Sequence, residues 1–599
     1  KTAYEISLGL VGSEMCIRDS YGRIWILLFC ICPIFSQPDS PIPGYTLFSP
    51  GGPTQNPGDP FYTFLLNTEG ETEHVWENEC GPASMPYLFP DSSILRPCRV
   101  PEPTMSNGGV GGRVQHITWD GTILWDFVFS NETYQHHHDI QPLPNGNVLL
   151  IAWEKKTAEE AYAMGRLEIN NPLNEFWAEA IFEVQPDGLN GGIVVWEWHV
   201  WDHLIQDVDP ELPGYGVVAE HPELININYA TVGTSGGGGG GQPHADWLHL
   251  NAIDYNAELD QIIFSSPRMN EFYIIDHSTT TEEAASHSGG NSGKGGDFLY
   301  RWGNPRVYNR GTQEDQKIFV IHGVNWIRHG LPGYGNILYY VNGNNRTDPD
   351  HDGLYSTVEE LVTPLNNEGL YEIIQEEAFG PESPVWIFDD NQGFYSQMQS
   401  GAFRLQNGNT LVTVAQYRRI FEVTVNGDIV WDYTHPGSEG IIPRSQKYGV
   451  DYLYGYMSLT IPYFDGWNMV GLPMNVSDPS QITVFPGSVE ETLFGYDGTY
   501  YSAASLIPGS GYWLMFGDET DIQITGTAVN SVEIQLFGGW NLITGVSTSV
   551  QLEDIVDPEN LIISGTIYGF QESYNQVEIL YPGRGYWLKS NGDGIIIVE

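Results

Sequence analysis

The sequence predicts an all-β protein in which a six-bladed β-propeller is followed by two small β-rich repeat modules. Six β-rich phrases end in tryptophan and recur at intervals of tens of residues, and Asn-Gly pairs mark hairpin turns between alternating runs. Two further motifs repeat near the C-terminus. Short hairpin units repeated in this way favour a propeller, because radial repetition leaves only short, protected strand edges. A β-sandwich that carries the same tryptophans is the alternative.

The N-terminal residues are treated apart from the fold. Residue 1 is lysine rather than methionine, and residues 1–20 look like a non-native leader. In residues 21–37, Arg23 precedes an apolar run that is too short to span a bilayer, which predicts a secretory signal peptide. We therefore expect an exported protein, in the periplasm, at the cell surface or outside the cell, without a transmembrane segment.

The propeller is predicted over residues 45–460. Hairpin signals lie at Asn145-Gly-Asn147 and Asn407-Gly-Asn409, each between alternating runs. Each tryptophan phrase is expected to supply one blade. The tryptophans that end the six phrases are Trp76, Trp125, Trp196, Trp302, Trp386 and Trp431.

The C-terminal part carries a different repeat. The phrase that begins Gly466-Trp467-Asn468 recurs at Gly539, and the phrase that begins Gly511-Tyr512-Trp513 recurs at Gly585, at spacings of 73 and 74 residues. This predicts two β modules, over 461–534 and 535–599. They resemble surface-attachment or spacer repeats of secreted bacterial proteins, so attachment to the cell surface through them is an expectation. The oligomeric state is left open, with a homo-oligomer among the options.

Charge limits the partners of the protein. Lys and Arg total 24 against 76 Asp and Glu, which gives a formal net charge of −52. Binding to a phosphate backbone would be electrostatically unfavourable, so we expect no nucleic-acid partner. Three of the five cysteines fall within residues 1–37, which leaves Cys80 and Cys98 as a pair. In an exported protein this pair predicts a disulfide.

Histidines occur at related positions of the predicted blades. His138 stands seven residues before Asn145, and Ser400 stands seven residues before Asn407. His249 and His322 open further strands. Because the inner strands of a propeller face its axis, these side chains are expected to converge there. Such a cluster is a metal site, an acid/base or nucleophile site, or a structural hydrogen-bonded group.

Fixed cations near the predicted cluster favour an anionic substrate over a metal. Arg268 accompanies His249 and Asn251, and a guanidinium would repel a metal ion placed beside it. Lys294, in a glycine-rich segment, is expected to add local positive potential. His137 and Ser400 are further candidates for substrate contact. His137 and His203 also remain alternatives for the axial histidine.

Several phrases in this order resemble the bacterial arylsulfate sulfotransferases, over about 45–435. These phrases begin at His137-His138-Asp139, Asp246-Trp-Leu-His249-Leu-Asn251, Ser265-Ser-Pro-Arg268, Gly293-Lys294-Gly-Gly and Ser400-Gly-Ala-Phe-Arg404. The resemblance implies a six-bladed propeller and PAPS-independent transfer of a sulfuryl group from an aryl sulfate to a phenol through a sulfohistidine. It implies no required cofactor, and small-molecule aryl sulfates and phenols as partners.

The resemblance also implies roles for individual residues. His322 would be the nucleophile, and His138, His249, Asn251 and Arg268 would bind and polarise the sulfate. The sequence departs from the family around His322, where Gln-His-Asp-Val-His is replaced by Ile321-His-Gly-Val-Asn325. A non-catalytic propeller that binds sulfated glycans or phenolics at the cell surface is the alternative function. A quinone-cofactor dehydrogenase is a third, since it shares propeller tryptophans.

An acidic segment near residue 350 matches a calcium loop in its ligand types and in Gly353. The ligands would be Asp348, Asp350, Asp352 and Glu359. A structural calcium ion is one interpretation and an acidic turn between strands is the other. The glycine run over 236–241 is interpreted as a mobile linker or lid near the site, or as a plain surface loop.

Overall fold

The computed structural model describes residues 40–51, 60–233, 242–346, 353–366, 369–437, 440–450, 452–453, 456–476, 478–571 and 573–599. Several predictions fall outside the described residues. They are the leader over 1–20, the signal peptide over 21–37, the glycine run over 236–241, and the calcium ligands Asp348, Asp350 and Asp352.

The all-β prediction is confirmed, with 44% of residues in strands and 7% in helices. Between residues 44 and 449, the described residues form six four-stranded antiparallel sheets. In order from the first strand, sheet 1 is Ser445–Gly449, Gly44–Phe48, Phe61–Leu66 and Thr72–Asn78; sheet 2 is Tyr87–Leu88, Ile94–Arg99, Gly112–Ile117 and Ile123–Val128; sheet 3 is Tyr134–Pro142, Val148–Thr157, Glu175–Asp187 and Gly191–His199. Sheet 4 is Ala252–Asn256, Gln261–Ser266, Glu271–Asp276 and Tyr300–Trp302; sheet 5 is Ile321–Trp326, Ile337–Val341, Thr357–Leu361 and Trp386–Phe388; sheet 6 is Gly401–Arg404, Thr410–Val414, Arg419–Val423 and Ile429–Thr434.

The six predicted tryptophans connect these sheets in a closed cycle. Each lies on the fourth strand of its sheet, and its indole N–H donates to the turn or strand start between the third and fourth strands of the next sheet. The bonds run from Trp76 to Thr118 O (3.0 Å), Trp125 to Gly191 O (2.7 Å), Trp196 to Thr279 Oγ1 (3.2 Å), Trp302 to Pro381 O (2.8 Å), Trp386 to Val425 O (2.9 Å) and Trp431 to Thr68 O (2.9 Å). The last bond returns from sheet 6 to sheet 1. Indole suits this position because it packs as an apolar ring and still satisfies a donor.

Sheet 1 is built from both ends of this region. Ser445–Gly449 pairs with Gly44–Phe48 over five residues, from Gly44 opposite Gly449 to Phe48 opposite Ser445. A Cβ at Gly44 would lie 2.2 Å from the Tyr448 carbonyl oxygen, so only glycine allows this approach. A disulfide between Cys80 and Cys98, with a Cα–Cα distance of 5.7 Å, also joins the end of sheet 1 to the second strand of sheet 2.

The first strands of sheets 3, 4, 5, 6 and 1 pack against one another in that order. Sheet 2 completes the series, because the Leu88 N–H donates to the Tyr448 hydroxyl of sheet 1 and the Tyr87 hydroxyl donates to the Ile140 carbonyl of sheet 3. Residues at the starts of first strands, far apart in sequence, are therefore neighbours in space.

Two further four-stranded sheets follow residue 456. Sheet 7 is Gly466–Gly471, Gly511–Phe516, Phe494–Tyr496 and Tyr500–Ser502, and sheet 8 is Gly539–Thr544, Gly585–Ser590, Tyr568–Gln571 and Ser573–Gln576. Smaller sheets pair Tyr456–Tyr463 and Met474–Asn475 with Thr520–Ala528, Val532–Leu536 with Gly594–Val598, and Val550–Gln551 with Ile579–Leu580.

The repeated motifs take the same structural role in sheets 7 and 8. Asn468 and Asn541 each hold the turn before their strand, by donating to the carbonyls of the residues four and two positions earlier. The strands Tyr456–Tyr463 and Val532–Leu536 span the predicted boundaries at 460/461 and 534/535. The division into two modules stays a prediction.

Helices are short. The α-helices are Ala158–Ala163, Thr281–Ala284 and Gln481–Val484, and the 3-10 helices are Val200–His203, Val218–Glu220, Pro305–Tyr308, Gln313–Asp315, Asp390–Gln392, Ala415–Tyr417 and Leu552–Asp554. Across the part of the chain that the structure describes, no helix has the length and apolar character needed to span a membrane.

Candidate active site

Three predicted histidines come together from three different sheets. The rings of His138 and His249 lie 4.7 Å apart between centroids and nearly perpendicular, at 83°. His322 is close enough to both to interact electrostatically with them. The cluster therefore joins residues separated by more than 180 positions in the sequence, which the packing of the first strands explains.

Each histidine lies where its backbone departs from regular strand geometry. His138 and His249 have φ values of +53° and +59°, and Gly323, directly after His322, has +63°. Strand pairing shifts register between His136 and Ile140 and again between His322 and Asn325. Bulges and left-handed residues turn a side chain away from the alternating pattern, and they persist at functional sites despite their cost.

His322 is held neutral with a defined proton position. Its Nδ1 lies 2.7 Å from the side-chain oxygen of Asn342, and the Asn342 amide nitrogen donates to the carbonyls of Ser396 and Gln399. An amide oxygen only accepts, so Nδ1 carries the proton and Nε2 keeps a free electron pair. Burial lowers the pKa of His322 to about 3; the Asn342 bond opposes this shift, and His249 and Arg444 add to it.

His249 is oriented by a buried carboxylate. Its Nδ1 donates to Asp246 Oδ2 at 2.5 Å, and Asp246 also accepts from the side chains of Asn107 (2.6 Å) and Trp153 (3.1 Å). Arg268 Nη2 lies 3.6 Å from the same Oδ2. Burial opposes ionisation of Asp246, but His249 and Arg268 hold its pKa well below the ordinary value. Asp246 is therefore an anion that positions the side chains of His249 and Arg268.

A chain of hydrogen bonds leads from Glu179 to His138. Glu179 Oε2 lies 2.8 Å from His137 Nε2, and His137 Nδ1 lies 2.9 Å from His138 Nδ1. Burial, with help from Asp246, raises the pKa of Glu179 well above its ordinary value, and burial lowers the pKa of His137 and His138 well below theirs. We therefore treat Glu179 and His137 as a neutral pair that shares one proton, rather than as an ion pair.

A buried cation, Arg444, lies close enough to His322 to act on its charge. Arg444 forms an ion pair with Asp139 and donates to Ser84 Oγ at 3.1 Å. A Cβ at Gly323 would lie 2.7 Å from the Gly401 Cα and 3.4 Å from the Arg444 Cδ. Glycine thus fits at position 323, where a larger side chain would meet Gly401 and Arg444.

The remaining predicted site residues are placed less directly. Asn251 lies beside His322, where its amide nitrogen donates to the Ile321 carbonyl (2.7 Å) and its oxygen accepts from Ser265 (2.7 Å). Ser400 is buried next to Gly323, and its hydroxyl contacts backbone groups of Met398 and Ala415. Both residues support the backbone around the cluster.

Three predicted site residues lie outside the cluster, two that were candidates for it and one that was expected in a calcium loop. Lys294 is exposed in the connection between the last two strands of sheet 4, and its N–H bonds to Ser292 Oγ. His203 follows the outermost strand of sheet 3 and pairs with Asp297. Glu359, the described member of the predicted calcium loop, accepts from Thr357 and Tyr339. A calcium site over 348–359 stays a prediction.

Solvent reaches the cluster on the Arg268 side. The side chains of Arg268 and His249 are 26% and 16% exposed, whereas His138 and His322 are buried. An anion that enters here would meet a guanidinium first and the neutral Nε2 of His322 deeper inside. Sequence reasoning missed Asp246, Glu179, Asn342 and Arg444. Only Asp246 had a signal, its position in the His249 phrase.

The comparisons with known proteins bear on the central part of the chain. The family model described as Arylsulfotransferase (ASST) matches residues 111–421, more than half of the 599 residues. No curated protein sequence matches the chain.

Solved structures show only distant similarity. A protein of unknown function from Bacteroides caccae is 12% identical, with a TM-score of 0.36, over 67% of this chain and 98% of its own. A catalytically inactive virginiamycin B lyase from Staphylococcus aureus is 12% identical, with a TM-score of 0.28, over 65% and 86%. A protein from Lactobacillus plantarum is 11% identical, with a TM-score of 0.32, over 79% and 100%. These low scores carry no argument about the site.

Proposed function

The chain belongs to the arylsulfotransferase (ASST) family, and we propose that it transfers a sulfuryl group from an aryl sulfate to a phenol through a sulfohistidine at His322. The observation that carries this proposal is the hydrogen bond from His322 Nδ1 to Asn342, which leaves Nε2 neutral and unprotonated. A neutral imidazole nitrogen is a suitable nucleophile for an anionic sulfate ester, because it brings no additional negative charge to the reaction.

In the first half-reaction, the His322 Nε2 electron pair forms an N–S bond while the bond between sulfur and the aryl oxygen breaks. Sulfuryl transfer resembles phosphoryl transfer, in which attacking and leaving atoms lie in line and charge spreads over the equatorial oxygens. Arg268 and His249, which both contact Asp246, would stabilise those oxygens. In the second half-reaction the oxygen of the acceptor phenol attacks sulfur, and the N–S bond breaks.

The hydrogen-bonded series Glu179–His137–His138 supplies a proton to the departing phenolate and takes one up from the acceptor phenol. With Glu179 protonated, it donates to His137 Nε2, His137 Nδ1–H donates to His138 Nδ1, and His138 Nε2–H is free to protonate the departing phenolate. That transfer moves one proton along each bond and leaves Glu179 as a carboxylate, which accepts the Leu250 N–H at 3.0 Å. The incoming phenol returns its proton to His138 Nε2 by the reverse path.

We also propose that sheets 1 to 6 are the blades of a six-bladed propeller over 45–460. The cycle of indole hydrogen bonds and the pairing of Ser445–Gly449 with Gly44–Phe48 support this arrangement. The disulfide between Cys80 and Cys98 supports export to an oxidising compartment. The proposed reaction needs no cofactor, and its partners are small aryl sulfates and phenols.

One observation favours the non-catalytic alternative. Asn325 stands where the resembled family has histidine, and its amide nitrogen donates to the carbonyls of Gly323 and Ala402. A site with this change could retain sulfate binding without turnover. Sulfated glycans or phenolics at the cell surface would then be the ligands.

The test measures p-nitrophenol release from p-nitrophenyl sulfate with and without a second phenol, together with the mass of the intact protein after donor alone. Transfer predicts release that depends on the acceptor and one sulfuryl adduct on His322. His322→Ala should abolish both, whereas His329→Ala, which changes an exposed histidine, should leave both unchanged. Release without acceptor would indicate hydrolysis, and binding without release would favour the alternative.

A further inference from the structure

A second cluster of ligand atoms lies outside the candidate active site. His203 Nδ1 is 2.8 Å from Asp297 Oδ1, and His287 Nδ1 is 2.7 Å from the same oxygen. The three ligand atoms all lie within 4.8 Å of one another. His203 and Asp297 are buried, and His287 is exposed.

The proton count at His203 leaves a place for a cation. Its Nε2 lies 2.8 Å from the Ala284 carbonyl, which can only accept, so Nε2 carries a proton. A neutral imidazole has no second proton, so Nδ1 then presents an electron pair to a carboxylate oxygen. Two acceptors this close require either one more proton, on His203 or on Asp297, or a metal ion that both bind.

The surroundings match those of metal-binding histidines. Such histidines usually donate their other N–H to a backbone carbonyl or carboxylate, which fixes the ring and the tautomer. The bond from His203 to Ala284 does this, and the Trp198 ring stacks on His203 at 5.5 Å between centroids. Two imidazoles and one carboxylate are a ligand set that Zn²⁺ accepts, with water as a fourth ligand.

We propose that His203, His287 and Asp297 bind one Zn²⁺-like divalent transition-metal ion. The side chain of His287 is 61% exposed, so solvent can reach the site to supply the remaining ligand. The ion would also offset the negative charge of Asp297 in a protein with a net charge of −52.

The position of the site indicates a structural role. His203 ends the 3-10 helix that follows sheet 3, whereas His287 and Asp297 lie in the connection between the last two strands of sheet 4. The Trp198 indole donates to the Gly296 carbonyl at 2.8 Å and already links these two parts. A metal ion would hold the long connection of sheet 4 against sheet 3, and this does not depend on sulfuryl transfer.

The experiment uses the full chain without a histidine tag, stripped with EDTA and then incubated with ZnCl₂. Bound zinc is counted by elemental mass spectrometry after gel filtration, and the melting temperature is measured with and without zinc. We expect about one more zinc ion per chain in the wild type than in His287→Ala or Asp297→Ala, and a rise in melting temperature that both variants lose.

Two controls separate the site from other zinc ligands. His221→Ala removes a partly exposed histidine that pairs with Glu223, and it should keep the full zinc content. Comparison between variants also cancels binding to the thiols of Cys16, Cys30 and Cys32. His287→Ala changes an exposed side chain, so it should fold even where Asp297→Ala does not. Equal zinc content in the wild type and His287→Ala would overturn the proposal and assign the additional proton to the His203–Asp297 pair.

Discussion

His322 Nδ1 lies 2.7 Å from the side-chain oxygen of Asn342, and this bond decides which nitrogen of His322 can react. Asn342 is itself fixed, because its amide nitrogen donates to two backbone carbonyls. The reactive nitrogen is thus set by a residue at the end of the second strand of sheet 5, outside the first strands that supply the histidines.

Replacing Asn342 by leucine should reduce turnover without removing the nucleophile. Without the amide oxygen, the proton of His322 is no longer held on Nδ1. In the other tautomer the proton lies on the attacking nitrogen, Nε2, which then has no free electron pair. We expect kcat for sulfuryl transfer to fall by roughly 10²–10⁴-fold, as for other catalytic histidines that lose their orienting partner. The measurement is steady-state p-nitrophenol release with a phenol acceptor, and the adduct on His322 should form at a correspondingly lower rate.

The loss must be distinguished from general destabilisation. Leucine leaves the carbonyls of Ser396 and Gln399 without the amide donor, at a cost of about 1–3 kcal/mol. Urea unfolding of Asn342→Leu, compared with the wild type, measures that cost directly. The same comparison for His322→Ala measures the cost of removing the imidazole itself. An Asn342→Leu protein that is folded and fully active would show that the amide does not set the tautomer.

The low pKa of His322 makes stability depend on pH. The folded-state pKa of about 3 lies below the usual value near 6.5, so the unfolded chain binds a proton that the folded chain does not between these values. The stabilisation is present above pH 6.5 and is lost as pH falls toward 3. The slope is roughly 1.4 kcal/mol per pH unit for each such histidine.

In His322→Asn the unfolding free energy should therefore fall less steeply between pH 6 and pH 4. The slope should decrease by the amount that about one bound proton contributes. Urea titrations at several pH values measure this slope. His329→Asn, which replaces an exposed histidine, provides the matched control. Parallel slopes for His322→Asn and the wild type would mean that His322 titrates normally in the folded protein.

The disulfide should contribute to stability but not to chemistry. Cys80 and Cys98 are 18 residues apart. A disulfide that closes a loop of this length raises the free energy of unfolding by about 3 kcal/mol, because it restricts the unfolded chain. The double substitution Cys80→Ala with Cys98→Ala should lower the unfolding free energy by that amount and leave kcat nearly unchanged. Urea midpoints and transfer rates at a temperature well below unfolding check the two statements separately. A large loss of kcat in the folded double variant would contradict the second.

The tryptophan phrases show what could be predicted from sequence. A side chain that bonds to the next sheet at the same place in every repeat leaves a local, recurring signal. The strand Ser445–Gly449 left none, because its partner Gly44–Phe48 lies about four hundred residues earlier and strand pairing carries no fixed sequence code.

The residues of the candidate site also divide into those that the sequence could predict and those that it could not. His138 and His249 were predictable because they occupy repeat positions or recognisable phrases. Asn342 and Arg444 were not, since Asn342 acts through a hydrogen bond to His322 and Arg444 through its charge near that ring, and nothing in the neighbouring sequence marks either residue. Lys294 shows the opposite case: it was expected to add positive potential at the cluster, but it is exposed in the connection between the last two strands of sheet 4.

Glu179→Gln should separate the two half-reactions. p-Nitrophenolate is a weak base that can depart without taking a proton from His138. Glutamine has no proton to release, but it can donate from its amide to His137 Nε2 and keep the hydrogen-bonded chain in place. It cannot take up the proton that His138 must pass back when the acceptor phenol attacks. We therefore expect sulfuryl adduct formation with p-nitrophenyl sulfate to stay within a few-fold of wild type, and transfer to the acceptor to slow by about 10²–10³-fold. The adduct should accumulate.

Stopped-flow release of p-nitrophenol and mass spectrometry of the intact protein measure the two steps separately. The transfer defect should grow with the pKa of the acceptor phenol, because weaker acids depend more on the base. Glu175→Gln, on the same strand and partly exposed, is the matched control and should affect neither step. Equal slowing of both half-reactions by Glu179→Gln would indicate that Glu179 only orients His137, and the proton path would then have to run through another group.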